Sequence, residues 1–340
     1  MRKIAFYSSR IKSLSVSPFR TLHAQMSHLH FHKLLPPGVL FSRLRHISWI
    51  SDQTSGPEIL FVLRTVGTSL THVSGPRSTA VLLHLQQTSH LSSMKLLCLK
   101  SERGGRSTDD PAFCPALCTI LQGCTTLRKA HVHLNLDEDI TTIWTPFAKL
   151  PELRTCLISQ ITLFNKYFCT AATFVSLTTL ELRFLRIGVA IDLFQASRFP
   201  CLRELTVKFE ALELEIADEA IVVSGAISSS CTGGTLLDVD MTFTCSHDRD
   251  RDHPLGFLNC EVLRPFLGHS RMQRFVVDAR YWFLCLDDDF ISDMLHAWPE
   301  ILKLHLNQEP YGHLPTSPGR STPTFRSLEV VAALCPHIKA

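Results

Sequence analysis

Phe174-Val175-Ser176-Leu177-Thr178-Thr179-Leu180-Glu181-Leu182 is matched 25 residues later by Phe199-Pro200-Cys201-Leu202-Arg203-Glu204-Leu205-Thr206-Val207. Both follow one phrase: an aromatic or apolar anchor, two residues, a central Leu, two residues, an apolar residue, one residue, and another apolar residue. The last two apolar positions alternate with polar ones, the pattern of a short strand with one buried face. The central Leu then points into the same core from the turn that enters the strand.

Working outward, the phrase recurs as Phe41/Leu44/Ile47/Trp49, more loosely as Gly67/Leu70/Val73, and as Leu91/Met94/Leu97/Leu99. It continues as Cys124/Leu127/Ala130/Val132 and Leu150/Leu153/Cys156/Ile158. After a less regular stretch it returns as His269/Met272/Phe275/Val277 and Trp298/Ile301/Leu304/Leu306. The intervals between central residues from Leu44 to Leu202 are 26, 24, 33, 26, 24 and 25. Most fall within the span of leucine-rich repeats.

Segments of helical spacing lie between these strands. In residues 57–66, Ile59, Leu60, Leu63 and Val66 share one side of a helix; in 78–87, Val81, Leu82 and Leu85 do so. Asp109-Asp110-Pro111 reads as a helix start ahead of Phe113, Leu117, Ile120 and Leu121, with acids at the positive end and Pro in the first turn. Asp287-Asp288-Asp289 does the same ahead of Phe290, Ile291, Met294, Leu295 and Trp298, and a final helix is expected over 324–334. A helix-turn-strand unit cannot bury its apolar face alone, so stacking is required. The expected fold is an α/β leucine-rich-repeat-like solenoid, a horseshoe of alternating short parallel strands and helices. Residues 1–36 form a basic pre-repeat segment or a partial first repeat. Residues 37–340 form the solenoid, with loops near 101–110, 245–254 and 308–323.

At 340 residues and 45% hydrophobic, the chain can bury a substantial core. Its formal charge of +3 suggests neither a nucleic-acid-scale basic field nor an acidic tail. No window offers the roughly 18 apolar residues of a membrane span, so a soluble protein with neither nucleic acid nor membrane as partner is expected. Twelve cysteines scattered singly read as reduced, buried thiols in a cytoplasmic or nuclear protein. Residues 1–51 hold eight Lys/Arg and no Asp or Glu; such an Arg- and Ser-rich start also fits a mitochondrial transit peptide.

Several residues invite chemical readings. Asp287-Asp288-Asp289 could hold a hard cation, or could simply cap a helix. His247, Asp248, Asp250, Asp252 and His253 resemble ligands, but Arg249 and Arg251 alternate with the acids and favour a self-paired loop. His28, His30 and His32 would share one face of a strand, as would His131 and His133, either as ligands or with adventitious metal affinity. Cys114-x3-Cys118 lacks a second pair. Gly-x-Ser-x-Gly is absent, no Cys lies in a His-paired signature, and Gly104-Gly105 and Gly233-Gly234 lack phosphate-loop spacing. Trp49, Trp144, Trp282 and Trp298 stand in apolar contexts and are expected in the core. No catalytic, cofactor-binding or metal-binding residue is assigned, and no cofactor is expected.

Leu40-Phe41-Ser42-Arg43-Leu44-Arg45-His46-Ile47-Ser48-Trp49, together with Asp287-Asp288-Asp289-Phe290 leading to Ala297-Trp298-Pro299-Glu300-Ile301, resembles the leucine-rich-repeat region of F-box proteins from mushroom-forming fungi. Cys335-Pro336-His337-Ile338 looks like the opening of a further strand. The resemblance implies a non-enzymatic protein-binding scaffold related to the substrate-recognition region of ubiquitin-ligase adaptors. The family's F-box, which docks the Skp subunit of a cullin complex, is not recognisable: Leu34-Leu35-Pro36-Pro37 leads straight into the Phe41 repeat, and residues 6–14 resemble the family's segment after the F-box. Skp-cullin partners are therefore expected only if an F-box is supplied or cryptic. The alternatives are a truncated or residual repeat protein without a specific partner and a mitochondrially imported scaffold.

Overall fold

The structure is a computed structural model. It describes residues 10–16, 41–49, 69–87, 91–100, 110–134, 140–161, 170–211, 216–232, 234–245, 256–279, 282–307 and 325–334. The chain divides into two compact units, Met1–Ile158 and Ser159–Ala340.

The first unit is built on parallel strands that follow one another in chain order: β1 (Ser13–Val16), β2 (His46–Trp49), β3 (His72–Pro76), β4 (Leu96–Lys100), β5 (Lys129–His133) and β6 (Thr155–Ile161), within which the unit boundary falls. Leu14, Ile47, Val73, Leu97 and Ala130 stand in one register row. Helices α1 (Thr79–Gln87), α2 (Phe113–Gly123) and α3 (Ile140–Ala148) alternate with the strands.

In the second unit a two-residue β7 (Ala172–Thr173) precedes β8 (Thr179–Leu185), followed by α4 (Ile187–Gln195), β9 (Ser197–Arg198), β10 (Glu204–Ala211), α5 (Ile216–Ser230) and β11 (Asp238–Cys245). Then come β12 (Gly256–Asn259), β13 (Arg274–Ala279), β14 (Trp282–Cys285), α6 (Asp288–Ala297), β15 (Lys303–Asn307) and α7 (Phe325–Leu334). The main parallel order is β8-β10-β11-β13-β15, aligning Leu180, Leu205, Val239, Phe275 and Leu304. Two short parallel ribbons, β7-β9 and β12-β14, lie outside it. Sequential parallel strands joined by helices make the fold an α/β leucine-rich-repeat-like solenoid.

Backbone geometry explains the spacing in the repeated phrase. The central residue's N–H turns back to the anchor's carbonyl: Leu44 to Phe41 at 3.1 Å, Met94 to Leu91 at 3.2 Å, Met272 to His269 at 3.1 Å and Ile301 to Trp298 at 3.1 Å. The next strand is then received by a shared acceptor. Arg45 O takes the N–H groups of Thr71 and His72, Thr71 O those of Lys95 and Leu96, and Lys95 O those of Arg128 and Lys129. Arg203, Leu237 and Gln273 repeat the device in the second unit. Hydroxyls reinforce it in the first: Ser69 Oγ donates to Leu44 O at 2.9 Å, Ser93 Oγ to Leu70 O at 3.3 Å and Thr126 Oγ1 to Met94 O at 3.1 Å. Each rung gives a turn carbonyl its donor.

Most residues the phrase selects lie in the core, joined by the inward faces of the helices, while Phe41, Leu91, Leu304 and Leu306 are only partly buried. Leu44, Leu70, Met94, Leu127, Leu153, Leu177, Leu202, Met272 and Ile301 are all buried. So are Leu236, Val239 and Met241, which form a further repeat inside the stretch that reads as irregular in sequence. Trp49, Trp144 and Trp298 are buried as expected. The helix expected from Asp109-Asp110-Pro111 begins later, at Phe113 after an Ala112 cap that makes no side-chain bond. Asp110 Oδ1 instead accepts the Ala112 N–H at 3.2 Å, closing the turn ahead of the helix. The expected helix over 57–66 and the loop cores at 101–109, 246–254 and 308–323 lie outside the described residues, while Cys245 is the last residue of β11. Among the described residues no helix is long and apolar enough to cross a membrane.

Candidate functional site

With alternate strand residues buried, the remaining side chains of each strand set form an outward face, and the two units as a whole differ in sequence charge. Residues 1–158 carry 18 Lys/Arg against 9 Asp/Glu, a balance of +9, whereas 159–340 carry 16 against 22, a balance of −6. The overall +3 conceals this division.

In the second unit, Thr179, Glu204, Asp238, Arg274 and Lys303 form one outward row; Glu181, Thr206, Asp240 and His305 stand in the next, where Val276 is the buried member. The Arg274 guanidinium spans two rungs, donating to Asp238 Oδ1 at 2.6 Å and Asp240 Oδ2 at 2.7 Å. Burial pushes the Asp238 carboxyl above its ordinary range; Arg274 pulls against this, and Glu204 and Asp240 add to it. Thr179 Oγ1 donates to Glu204 Oε2 at 3.1 Å, and Arg183 pairs with Glu181. Phe184 is the extra residue where β8 shifts register against β10; its φ is 58° and it is 47% exposed. A bulky residue in that conformation is strained, and here it leaves Leu185 free to turn inward, where it is fully buried.

In the first unit the His46 and His72 rings meet edge to face at 4.1 Å, and Thr71 Oγ1 lies 2.7 Å from His72 Nδ1. Burial lowers the His72 pKa, assisted by the charges of His46 and Lys95. Across β4 and β5, Cys98 Sγ lies 3.4 Å from His131 Nδ1. His133 shares the outward face with His131, Lys129 and Lys100. The Cys98-His131 pair is invisible in sequence because 33 residues separate its members; register alone brings them together. A thiol-imidazole pair can activate a nucleophile, but acyl chemistry also needs convergent donors for an oxyanion, and the strand N–H groups around this pair serve the parallel ladder.

A second Ser-His contact exists away from both faces. Ser228 Oγ on α5 donates to Pro265 O at 2.6 Å and lies 3.0 Å from His269 Nε2. With the hydroxyl proton committed to a carbonyl, Nε2 is the donor to Ser228, leaving a deprotonated Nδ1 that is buried without a partner among the described residues. This is the reverse of a base drawing a proton from a nucleophile. The pair instead ties α5 to the 3-10 turn Arg264–Gly268. Burial lowers the His269 pKa, opposed by the hydrogen bond the imidazole donates to Ser228. Below about pH 6.5 the unfolded chain then binds more protons than the native state. Stability is expected to be full above that pH and to fall as the pH drops through the lower folded value. Urea midpoints between pH 7.5 and 5 should show this slope, and His269→Gln should flatten it; an unchanged slope in the variant would assign it elsewhere.

Asp287 acts as a helix cap: its Oδ1 accepts the Phe290 N–H at 2.7 Å from extended backbone, while Asp288 and Asp289 occupy the first turn of α6. Asp287→Ala should cost about 1 kcal/mol and Asp287→Asn only a few tenths, as read by urea denaturation. Equal losses in both variants would point to a role for the charge itself. Among the described residues no three His, Cys, Asp or Glu side chains converge as a metal site; His28, His30, His32 and the 247–253 cluster lie outside those residues. Cys124, Cys156 and Cys231 are buried with thiols pushed up to about 12 by burial, but Cys201 is exposed, contrary to a uniformly buried set.

No protein-family model matches this chain, and no curated protein matches it. Among solved structures it is similar to the leucine-rich repeat-containing protein LegL7 of Legionella pneumophila, with 10% identity and a TM-score of 0.40 over 99% of this chain and 95% of that one. It is also similar to an internalin of Listeria monocytogenes, with 13% identity and a TM-score of 0.36 over 83% of this chain and 67% of that one.

Proposed function

We propose that this protein is a non-enzymatic protein-interaction scaffold that works in the cytoplasm or nucleus and binds its partners on the outward faces of its parallel strands. The observation that carries the reading is the pair of ordered outward strand faces on buried cores: Ser, His and two Lys held in register in the first unit, and carboxylates bridged by Arg274 in the second. Ordered side chains on rigid strands present a preorganised surface, which lowers the entropic cost of association. The Ser-His and Cys-His contacts do not add up to a catalytic constellation: in the first the serine proton is held by a carbonyl, and around the second the backbone N–H groups are taken by the ladder. A role in substrate choice for a ubiquitin ligase follows from the resemblance to F-box proteins and requires Skp and cullin subunits as further partners.

The test is recovery of co-purifying proteins with the tagged full-length chain, beside a chain carrying Arg274→Glu. Specific recovery of a protein that is not a chaperone is expected, and Skp and cullin subunits among those recovered would support the ligase role. Recovery of chaperones alone would overturn the scaffold reading in favour of a residual repeat protein.

A further inference from the structure

We propose that the outward strand face of the first unit docks a carboxylate-rich peptide segment of a partner protein, an inference that rests on the scaffold reading and specifies its partner. The argument is charge complementarity. The described residues of this unit include eleven Lys/Arg and only two carboxylates, Asp110 and Glu152. Neither carboxylate stands on a strand: Asp110 closes the turn ahead of α2, and Glu152 lies in the turn before β6, 3.0 Å from Arg128 Nε. Among the described residues, the outward rows of β1 to β5 carry no carboxylate.

Those rows offer donors on every strand. Ser13 and Ser15 stand in register with His46 and Ser48, which continue to His72 and Ser74. Cys98 and His131 follow, flanked by exposed Lys100 and Lys129. Hydroxyls, imidazoles and ammonium groups on strands about 4.8 Å apart can each donate to a carboxylate, and a peptide laid across them meets a new donor at each strand. A basic segment would be repelled. A nucleic acid fits less well. The strand aromatic Trp49 is buried, so it gives bases no platform on which to stack.

The experiment measures binding of a fluorescein-labelled deca-glutamate peptide to the full-length chain by anisotropy at about 50 mM salt. It compares Lys100→Glu/Lys129→Glu with Arg43→Glu/Lys149→Glu, which reverses the same charge at exposed turn positions. Circular dichroism verifies the fold of both. The face pair should weaken binding about tenfold or more and the turn pair less than about threefold. Equal weakening by the two pairs would mean diffuse attraction without a docking face and overturn the proposal. So would tighter binding of a 20-nucleotide single-stranded DNA probe, or sedimentation showing salt-sensitive self-association, which would make a second copy the occupant. If deca-glutamate fails to bind while the tagged chain still recovers a specific partner, the docking inference fails and the scaffold stands; if neither is seen, both fall.

Discussion

Trp298→Ala is expected to destabilise the second unit by about 4 kcal/mol or more, because it opens a cavity and strands a core carbonyl at once. Trp298 closes α6 as its C-terminal cap and is fully buried, with its ring 4.7 Å from that of Phe275. Phe275 in turn lies 5.4 Å from Phe266. The indole N–H donates to Phe266 O at 3.2 Å, tying the end of the helix to the preceding 3-10 turn. Truncation leaves a cavity costing roughly 3–5 kcal/mol and removes the donor from a carbonyl inside the core, costing about 1–3 kcal/mol if nothing replaces it. Trp298→Phe retains most of the ring and should lose only about 1–2 kcal/mol. Urea denaturation of the full chain reads both, and an Ala variant within about 1 kcal/mol of wild type would mean that the aromatic cluster does not organise this core.

Trp298 also shows why the repeat is legible in the sequence. The anchor must reach back to a turn, the central residue must turn in three positions later, and the strand must alternate, so backbone geometry fixes the spacing whatever the side chains. The repeat at Leu236, Val239 and Met241 keeps the same spacing behind Gly233, as Gly67/Leu70/Val73 does, and so is legible in the sequence by the same rule. Helix α3 buries Ile140, Ile143, Trp144 and Phe147 at helical spacing, yet Pro146 inside it obscures the pattern. Pro is tolerated near a helix end at the loss of one hydrogen bond.

The candidate faces are much less legible. Arg274 meets Asp238 and Asp240 across gaps of 36 and 34 residues, and only strand register puts a cation between two carboxylates on the neighbouring strand. His131 and His133 can be assigned to one strand face by alternation, but Cys98 as a neighbour cannot. The charge division, by contrast, is largely legible: the acid-free start over 1–51 contributes +8 of the first unit's +9, and 52–158, with ten Lys/Arg and nine Asp/Glu, adds only +1. Local periodicity carries information about burial; identity of the outward neighbours depends on long-range pairing that periodicity does not encode.

The same dependence on pairing leads to a compensating substitution in β2 and β3. Most strands of the first unit place a full-sized residue at the second inward position, as with Leu99, Val132 and Ile158, but β3 has Gly75 there. The reason is its neighbour: a Cβ added at Gly75 would lie 2.7 Å from Trp49 Cε3, and Trp49 is buried with no partner for its Nε1 among the described residues. One oversized residue and one missing side chain together fill the volume of two ordinary ones. Gly75→Val should therefore destabilise by about 2–3 kcal/mol through overpacking, and Trp49→Leu by about 2–3 kcal/mol through the cavity it opens. Their combination should cost roughly 2 kcal/mol less than the sum, because each supplies what the other lacks. A double-mutant cycle measured by urea denaturation decides the matter: additivity within about 0.5 kcal/mol would mean that Trp49 and Gly75 do not share a volume, and that the weak repeat at Leu70 has another cause.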